Sequence, residues 1–259
     1  MSCYFDAYRI DHVLGFFRIW EIPVSATQGL LGQFSPALGL TQQEIESYGI
    51  TFSEQQFTRP FINNQMIERV FHAQASYVKE HYLVHLHDDI YTLKPQFDTQ
   101  QKVATAFANK HTSQDHMLRN GLYTLLNNVL FLNDKQDNKL FHPRIIAHTT
   151  LTYEALSEHH KNCFNRLYND YFYQRNNQFW YREAMKKLPK LIEATHMLVC
   201  AEDLGMVPTC VSWVMQQLRI LSLEVQSMPK ATNTQFTNLH NVPYRSVCTP
   251  STHDMPTLR

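Results

Sequence analysis

Tyr4-Phe5-Asp6-Ala7-Tyr8-Arg9-Ile10-Asp11-His12 is a short, largely apolar run that closes on a cation, an acid and an imidazole. Three later stretches share the design: Met197-Leu198-Val199-Cys200-Ala201-Glu202, Leu221-Ser222-Leu223-Glu224-Val225-Gln226 and Tyr244-Arg245-Ser246-Val247-Cys248-Thr249. Short apolar runs bounded by turn residues suit buried parallel strands. Between the second and third, Val211, Val214, Met215 and Leu218 recur at helical spacing behind Pro208, which suits a first turn. Ahead of the second, Trp180, Ala184, Leu188, Leu191 and Ile192 form another apolar helical stripe. Strand–helix–strand spacing of this kind predicts an α/β fold with βα units in a parallel sheet or barrel.

Working outward, the stretch from Gly39 to Asn177 is rich in Gln, Asn and His and lacks such strands. Its pattern predicts helices over 62–70, 117–126 and 161–173. It also predicts a hairpin from Val129-Leu130-Phe131-Leu132 to Leu140-Phe141. The expected organisation is a barrel segment over 1–38, a mainly helical insertion with one hairpin over 39–177, and a second barrel segment over 178–259.

Composition narrows the function classes. The 259 residues carry 23 Lys and Arg against 23 Asp and Glu, which argues against a basic nucleic-acid face or an acidic tail. Hydrophobic residues at 44% are ample for a folded core. No run of about 18 apolar residues offers a membrane span, and Met1-Ser2-Cys3-Tyr4 does not open a leader peptide. Cys3, Cys163, Cys200, Cys210 and Cys248 are scattered without a paired motif, so they read as reduced thiols in a cytoplasmic protein. A first strand that begins at once, and a final Arg259 directly behind a polar cluster, read as a piece of a larger polypeptide.

Three polar clusters follow strand candidates: Arg9-Ile10-Asp11-His12, Ala201-Glu202-Asp203-Leu204-Gly205 and Ser251-Thr252-His253-Asp254. In a (β/α)8 barrel the carboxyl ends of the strands carry the active site. Carboxylates gathered at one mouth repel, so one should hold a proton while a cation such as Arg9 keeps another ionised. Glycosidic bond chemistry needs that division, one carboxylate attacking the anomeric carbon and another donating to the leaving oxygen. A lone Asp at a strand end is more often a cap or loop ligand, and spacing alone names no reaction. Trp20, in the loop after the first strand, is a candidate sugar-stacking residue. Tyr168, Tyr171, Phe172, Tyr173, Phe179, Trp180 and Tyr181 lie at helical spacing and read first as core. His81, His85 and His87, beside Asp88 and Asp89, lack the spacing of a metal site, as do His159 and His160. No metal or other cofactor is expected.

Phe5-Asp6-Ala7-Tyr8-Arg9-Ile10-Asp11-His12-Val13-Leu14-Gly15-Phe16-Phe17-Arg18-Ile19-Trp20-Glu21-Ile22-Pro23 resembles the nucleophile strand of the amylomaltase (4-alpha-glucanotransferase) family. Cys200-Ala201-Glu202-Asp203-Leu204-Gly205 resembles its acid/base segment, and Thr249-Pro250-Ser251-Thr252-His253-Asp254 with Thr257-Leu258-Arg259 its third motif. The long stretch between Asp11 and Glu202 is similar to the long-insertion branch, the disproportionating enzymes of cytosolic maltose metabolism. Arg166–Arg175 and Phe179–Met185 look like the return from that insertion. The resemblance implies a partial (β/α)8 TIM barrel, about strands four to seven. The first three strands, the last one and N-terminal starch-binding modules are then missing from the chain.

The same resemblance implies that Asp11 is the nucleophile, Glu202 the acid/base and Asp254 the residue that holds the donor ring hydroxyls. Arg9 and His253 are implied partners of carboxylate and hydroxyls. The implied ligands are maltose, maltooligosaccharide or an α-glucan, with neither nucleic acid nor membrane as partner and the oligomeric state open. Two departures stand out: Ser227, where a basic residue is expected, and Pro256, where a small polar one is. A non-catalytic glucan-binding fragment and a related hydrolase remain as alternatives.

Overall fold

The computed structural model describes residues 3–230 and 234–255. Met1 and Ser2, together with Pro256, Thr257, Leu258 and Arg259 of the third motif, lie outside the described residues. Helices and strands are mixed throughout, and the chain divides into two compact units. One comprises Met1–Ile19, Ser35–Leu38 and Phe172–Arg259, the other Trp20–Phe34 and Gly39–Tyr171. Among the described residues no helix is long and apolar enough to cross a membrane.

The first unit is built on four parallel strands: β1 (Ala7–Ile10), β2 (Leu198–Ala201), β3 (Ser222–Val225) and β4 (Ser246–Thr249). β1 pairs with β2 from Ala7↔Leu198 to Ile10↔Ala201, and β3 pairs with β4 from Ser222↔Ser246 to Val225↔Thr249. Between the pairs, Leu221 donates to the Val199 carbonyl and Ala201 donates to the Leu221 carbonyl, both at 2.9 Å. Spatial order thus follows chain order, as βα connections produce. Tyr4 and Phe5 precede β1 and are exposed. The first strand therefore starts three residues later than its apolar run suggests.

Helices α1 (Asn177–Met185), α2 (Leu188–Glu193) and α3 (Thr209–Gln217) accompany the strands. Val211, Val214 and Met215 bury the inner stripe of α3. On α1, Trp180 and Ala184 are buried, and Leu188 continues the stripe into α2. Leu191 departs from the expectation: it is exposed, so the buried stripe stops one turn early. α1 and α3 meet where Tyr181 donates to Gln217 at 2.6 Å and Asn177 accepts the N–H of Cys210 at 3.2 Å. Each large side chain buried in this way contributes about 1.5–3 kcal/mol.

The second unit is less purely helical than its composition suggests. Ile62–Asn63, Ile90–Leu93 and Leu83–His87 form one antiparallel sheet, and Leu40–Thr41, Leu140–Pro143 and Phe131–Asn133 form another. The second contains the expected hairpin, and the first contains one that alternation does not reveal. Helices Asn64–Phe71, Ala75–Tyr82, Gln100–Ala106 and Ser113–Leu126 pack a common core that includes Ile67, Phe71, Val78, Val103, Leu122 and Leu125. Thr112 and Asp115 close a reciprocal capping box at the start of the last helix. On that helix Gly121 admits Phe71, whose ring would lie 2.3 Å from any β-carbon there.

Residues 20–34 belong with this unit, and not with the barrel segment over 1–38 that the sequence pattern suggests. The cause is a buried amide network. Gln100 Oε1 accepts the N–H groups of Thr27 and Gln28 at 2.8 and 2.9 Å, and Gln100 Nε2 donates to Asn127. Asn127 in turn donates to Gln28 at 2.8 Å, and Lys135 pairs with Glu21 at 2.5 Å. The return point also moves, because a π-helical turn at Tyr171–Arg175 carries the unit boundary after Tyr171.

His142, only 2% exposed, joins the hairpin to the helix Glu158–Asp170, contacting Tyr171 Oη at 2.6 Å and Asp134 Oδ2 at 2.8 Å. Burial would raise the Asp134 carboxyl, but hydrogen bonds from His142 and from the N–H groups of Asp137 and Gln136 outweigh it and hold it below its ordinary value. A lowered carboxyl contributes stability above the ordinary aspartate value of about 3.9, lost as pH falls through the lowered one. His142→Ala should therefore cost about 2–4 kcal/mol in urea unfolding at neutral pH. The deficit should narrow below about pH 4; a variant as stable as the parent would contradict this role.

Candidate active site

The register of β1 and β2 decides which polar groups meet. Ile10 and Ala201 are the last paired residues, so Asp11 and Glu202 leave neighbouring strands at the same level. Three backbone bonds continue the zipper past the strands: Glu202 N–H to Ile10 O at 2.9 Å, Val13 N–H to Glu202 O at 3.0 Å, and Leu198 N–H to Asp6 O at 2.8 Å. The Glu202 carboxylate is then held at both oxygens. Oε2 accepts the N–H of His12 at 3.0 Å and Oε1 accepts that of Leu204 at 2.8 Å. The first of these is the peptide nitrogen directly after Asp11. Glu202 is thus fastened to the link that follows its proposed partner.

His12 makes this possible by adopting a left-handed conformation, φ 47°, that turns the chain sharply out of β1. Its imidazole Nδ1 lies 3.8 Å from Glu202 Oε2. Arg9, two residues back on the strand, donates to Asp11 Oδ1 at 2.7 Å. The Glu202 side chain is 17% exposed and that of Asp11 81%, so one carboxylate is sheltered while the other faces open space. Cys200 precedes Glu202, and burial raises its thiol above the ordinary range, which disfavours a thiolate nucleophile.

Asp254 and His253 stand apart from this group. They lie in the loop after β4 and pair with each other at 3.3 Å. Among the described residues no hydrogen bond or ion pair joins them to Arg9, Asp11 or Glu202. Ser227, where the resemblance leads one to expect a basic residue, ties this loop to the end of β3: its N–H and Oγ both donate to the Pro250 carbonyl, at 3.2 and 2.9 Å. Trp20 belongs to the other unit, where its indole N–H donates to Gly29 O at 3.0 Å and its ring meets Phe34 edge-on at 4.8 Å.

Two supports were missed in the sequence reading. Arg18 is buried, donates to the Met206 carbonyl at 2.6 Å and lies 5.3 Å from the Trp180 ring centroid. It ties the segment after β1 to the loop after β2. Burial lowers its guanidinium to about 10. A charged residue inside the apolar run Phe16-Phe17-Arg18-Ile19 was the available signal. The second is Asp203, next to Glu202: its Oδ1 accepts the N–H of Leu223 at 2.9 Å and its Oδ2 accepts Lys230 at 2.8 Å. Lys230 also reaches Glu224 at 2.8 Å. One cation therefore balances two buried acids behind the site, and nothing in the run Met228-Pro229-Lys230 announces it.

Among the described residues no group of three or more His, Cys, Asp or Glu is arranged to hold a metal ion. His85 and His87 lie exposed on the hairpin and bond within its turn, to the Asp88 carbonyl and carboxylate.

With this geometry established, comparison with known proteins is decisive. The family model described as 4-alpha-glucanotransferase matches residues 1–259. The chain belongs to the 4-alpha-glucanotransferase family. The 4-alpha-glucanotransferase DPE2 of Oryza sativa subsp. japonica is 38% identical over 264 residues, covering 100% of this chain and 28% of the relative. The chain thus spans little more than a quarter of that protein's length. No solved structure matches it. At the paired ends of β1 and β2 two carboxylates, Asp11 and Glu202, leave neighbouring strands at the same level.

The Lys230 network yields a test. Burial pushes the Asp203 carboxyl up, and Lys230 and the Leu223 N–H oppose that only in part. Lys230→Met should cost about 1–3 kcal/mol, less than a fully buried pair because a third of Lys230 is in water. A carboxyl raised by folding weakens the fold as pH rises from its unfolded value of about 3.9 to its folded one. The variant's deficit in urea unfolding should therefore grow between about pH 4 and pH 7. Adding Glu224→Gln should recover part of it; a flat deficit without recovery would rule out the network.

Proposed function

We propose that this chain carries the catalytic core of a retaining 4-alpha-glucanotransferase, as part of a (β/α)8 barrel in which β1 to β4 are strands four to seven. The single observation that supports it best is the Glu202 carboxylate hydrogen-bonded to the peptide N–H that follows Asp11. Family membership over the whole chain supports the same reading.

In this reading Asp11 attacks the anomeric carbon of the donor glucose while the bond from that carbon to the glycosidic oxygen breaks. Glu202 gives its proton to the departing oxygen, and a covalent glucosyl–Asp11 ester remains. An incoming sugar hydroxyl then attacks the same carbon, Glu202 takes the hydroxyl proton, and the Asp11 carboxylate leaves. Arg9 offsets the charge on Asp11 between turnovers. Asp254 and His253 hold donor hydroxyls once the loop after β4 closes on the sugar, and Trp20, in the other unit, offers an aromatic face on which a sugar ring could stack. The donor is maltose or a maltooligosaccharide, the acceptor an α-glucan, and the setting cytoplasmic. Transfer prevails over hydrolysis when an acceptor sugar fills its site and excludes water during the life of the ester.

The test is turnover by the protein that carries this chain, incubated with maltose and glycogen and followed by separation of products. Chain-extended glucan with matched release of glucose is expected, and free glucose without extension would replace the transferase reading by hydrolysis. Asp11→Asn should lower kcat about a thousandfold or more; near-normal turnover would remove Asp11 from its role.

A further inference from the structure

The insertion unit contains a groove that the chemistry above does not use. It has a volume of about 500 Å³, within the range of small-molecule sites, and lies between the segment 53–61 and the hairpin strands 86–92. Gln55, Gln56 and Arg59 line one side, and Phe61, Leu86 and Tyr91 are among the residues that line the rest. Many polar side chains of this unit serve caps, turns and the Gln100 network. The carboxamides of Gln55 and Gln56 and the guanidinium of Arg59, by contrast, make no hydrogen bond or ion pair with any described residue.

The wall is also stiff. Ser53 caps the short helix Glu54–Phe57, Phe57 is buried beneath it, and the Phe61 carbonyl accepts Asn128 at 2.7 Å. Tyr91 pairs with Ile62 in the sheet, touches His85 edge-on and lies 5.7 Å from the Lys79 ammonium. The backbone of the wall is held in place, so binding would order chiefly the Gln55, Gln56 and Arg59 side chains, at about 0.5–1.5 kcal/mol each.

The chemistry of the lining selects the ligand. Each carboxamide offers both a donor and an acceptor, and a guanidinium can bridge adjacent oxygens with parallel N–H groups. That set matches vicinal hydroxyls, which donate and accept at once. Aromatic side chains suit the C–H faces of a sugar ring. Arg59 is the one fixed positive charge among the described lining residues, too few for a polyanion, whose binding needs several.

We propose that this groove binds a segment of α-glucan, held by Gln55, Gln56 and Arg59 against Phe61 and Tyr91. The identity of the glucan rests on the transferase reading above; the presence of a polyol groove does not. The experiment is native affinity electrophoresis of the protein that carries this chain through gels containing glycogen, in an Asp11→Asn parent so that no turnover occurs. Combined Gln56→Ala and Arg59→Ala should weaken glycogen retardation about tenfold or more. The melting temperature should stay unchanged, because both side chains are exposed or half-buried and unpaired. Gln55→Ala alone should give a smaller loss in the same direction. Retardation equal to the parent's would overturn the groove, whatever the transfer assay shows. Groove-dependent retardation in a protein whose Asp11 form transfers no glucose would keep the groove and defeat the transferase reading instead.

Discussion

The geometry of the proposed catalytic pair depends on a parallel pairing of four residues a side. Because Ile10 lies opposite Ala201, the next residue on each strand is a carboxylate, and the backbone ladder runs on far enough to lock Glu202. A slip of one residue would send Glu202 to the opposite face of the sheet. The left-handed turn at His12 presents an N–H to Glu202 as the strand ends, so a single change of backbone direction both stops β1 and orients the acid. An exposed carboxylate beside a cation and a sheltered one bound to two amides are physically unlike environments.

Around that pair the first unit spends buried charge on alignment. Arg18 fastens the segment after β1 to the Met206 carbonyl, and Lys230 holds Asp203 and Glu224 behind the β2–β3 junction. Burying charges is costly unless they are paired and hydrogen-bonded. Asp203 and Glu224 are paired through Lys230, and Arg18 is held by a backbone carbonyl and the Trp180 ring. Apolar packing of Trp180, Val211 and Val214 supplies cohesion, and the ionic contacts supply position.

Much of this was legible in the residues themselves. Four short apolar runs, three of them followed by polar clusters, marked the four parallel strands, although only β3 is mostly buried. The helical stripe over 211–218 survived, while Leu191 did not, since a stripe extrapolated past the last packed turn meets solvent. The hairpin Leu83–His87 with Ile90–Leu93 escaped notice because its exposed face carries Val84 and Leu86, which blurs the alternation that marks a strand. The placement of residues 20–34 turned on the Gln100 and Asn127 amides, whose partners lie about 70 to 100 positions away. Lys230 was invisible for the same reason: a long-range ion pair leaves no local pattern. At the site, the resemblance pointed to Asp11, Glu202 and Asp254; Glu202 bonds the N–H that follows Asp11, while among the described residues no bond joins Asp254 to either, and Arg18 was passed over as part of an apolar run.

The central claim is that Asp11 and Glu202 act on one sugar, the first by bonding to it and the second by moving its proton. Trapping separates these roles. The protein that carries this chain, as its Glu202→Gln variant, would be supplied with α-glucosyl fluoride, whose leaving group needs no acid. The digest would then be read by mass spectrometry. The account predicts one glucosyl unit on the peptide containing Asp11, absent when Asp11→Asn is added. A glucosyl unit on any other residue, or an unlabelled Asp11 peptide in a protein that still consumes the fluoride with retention, would contradict it.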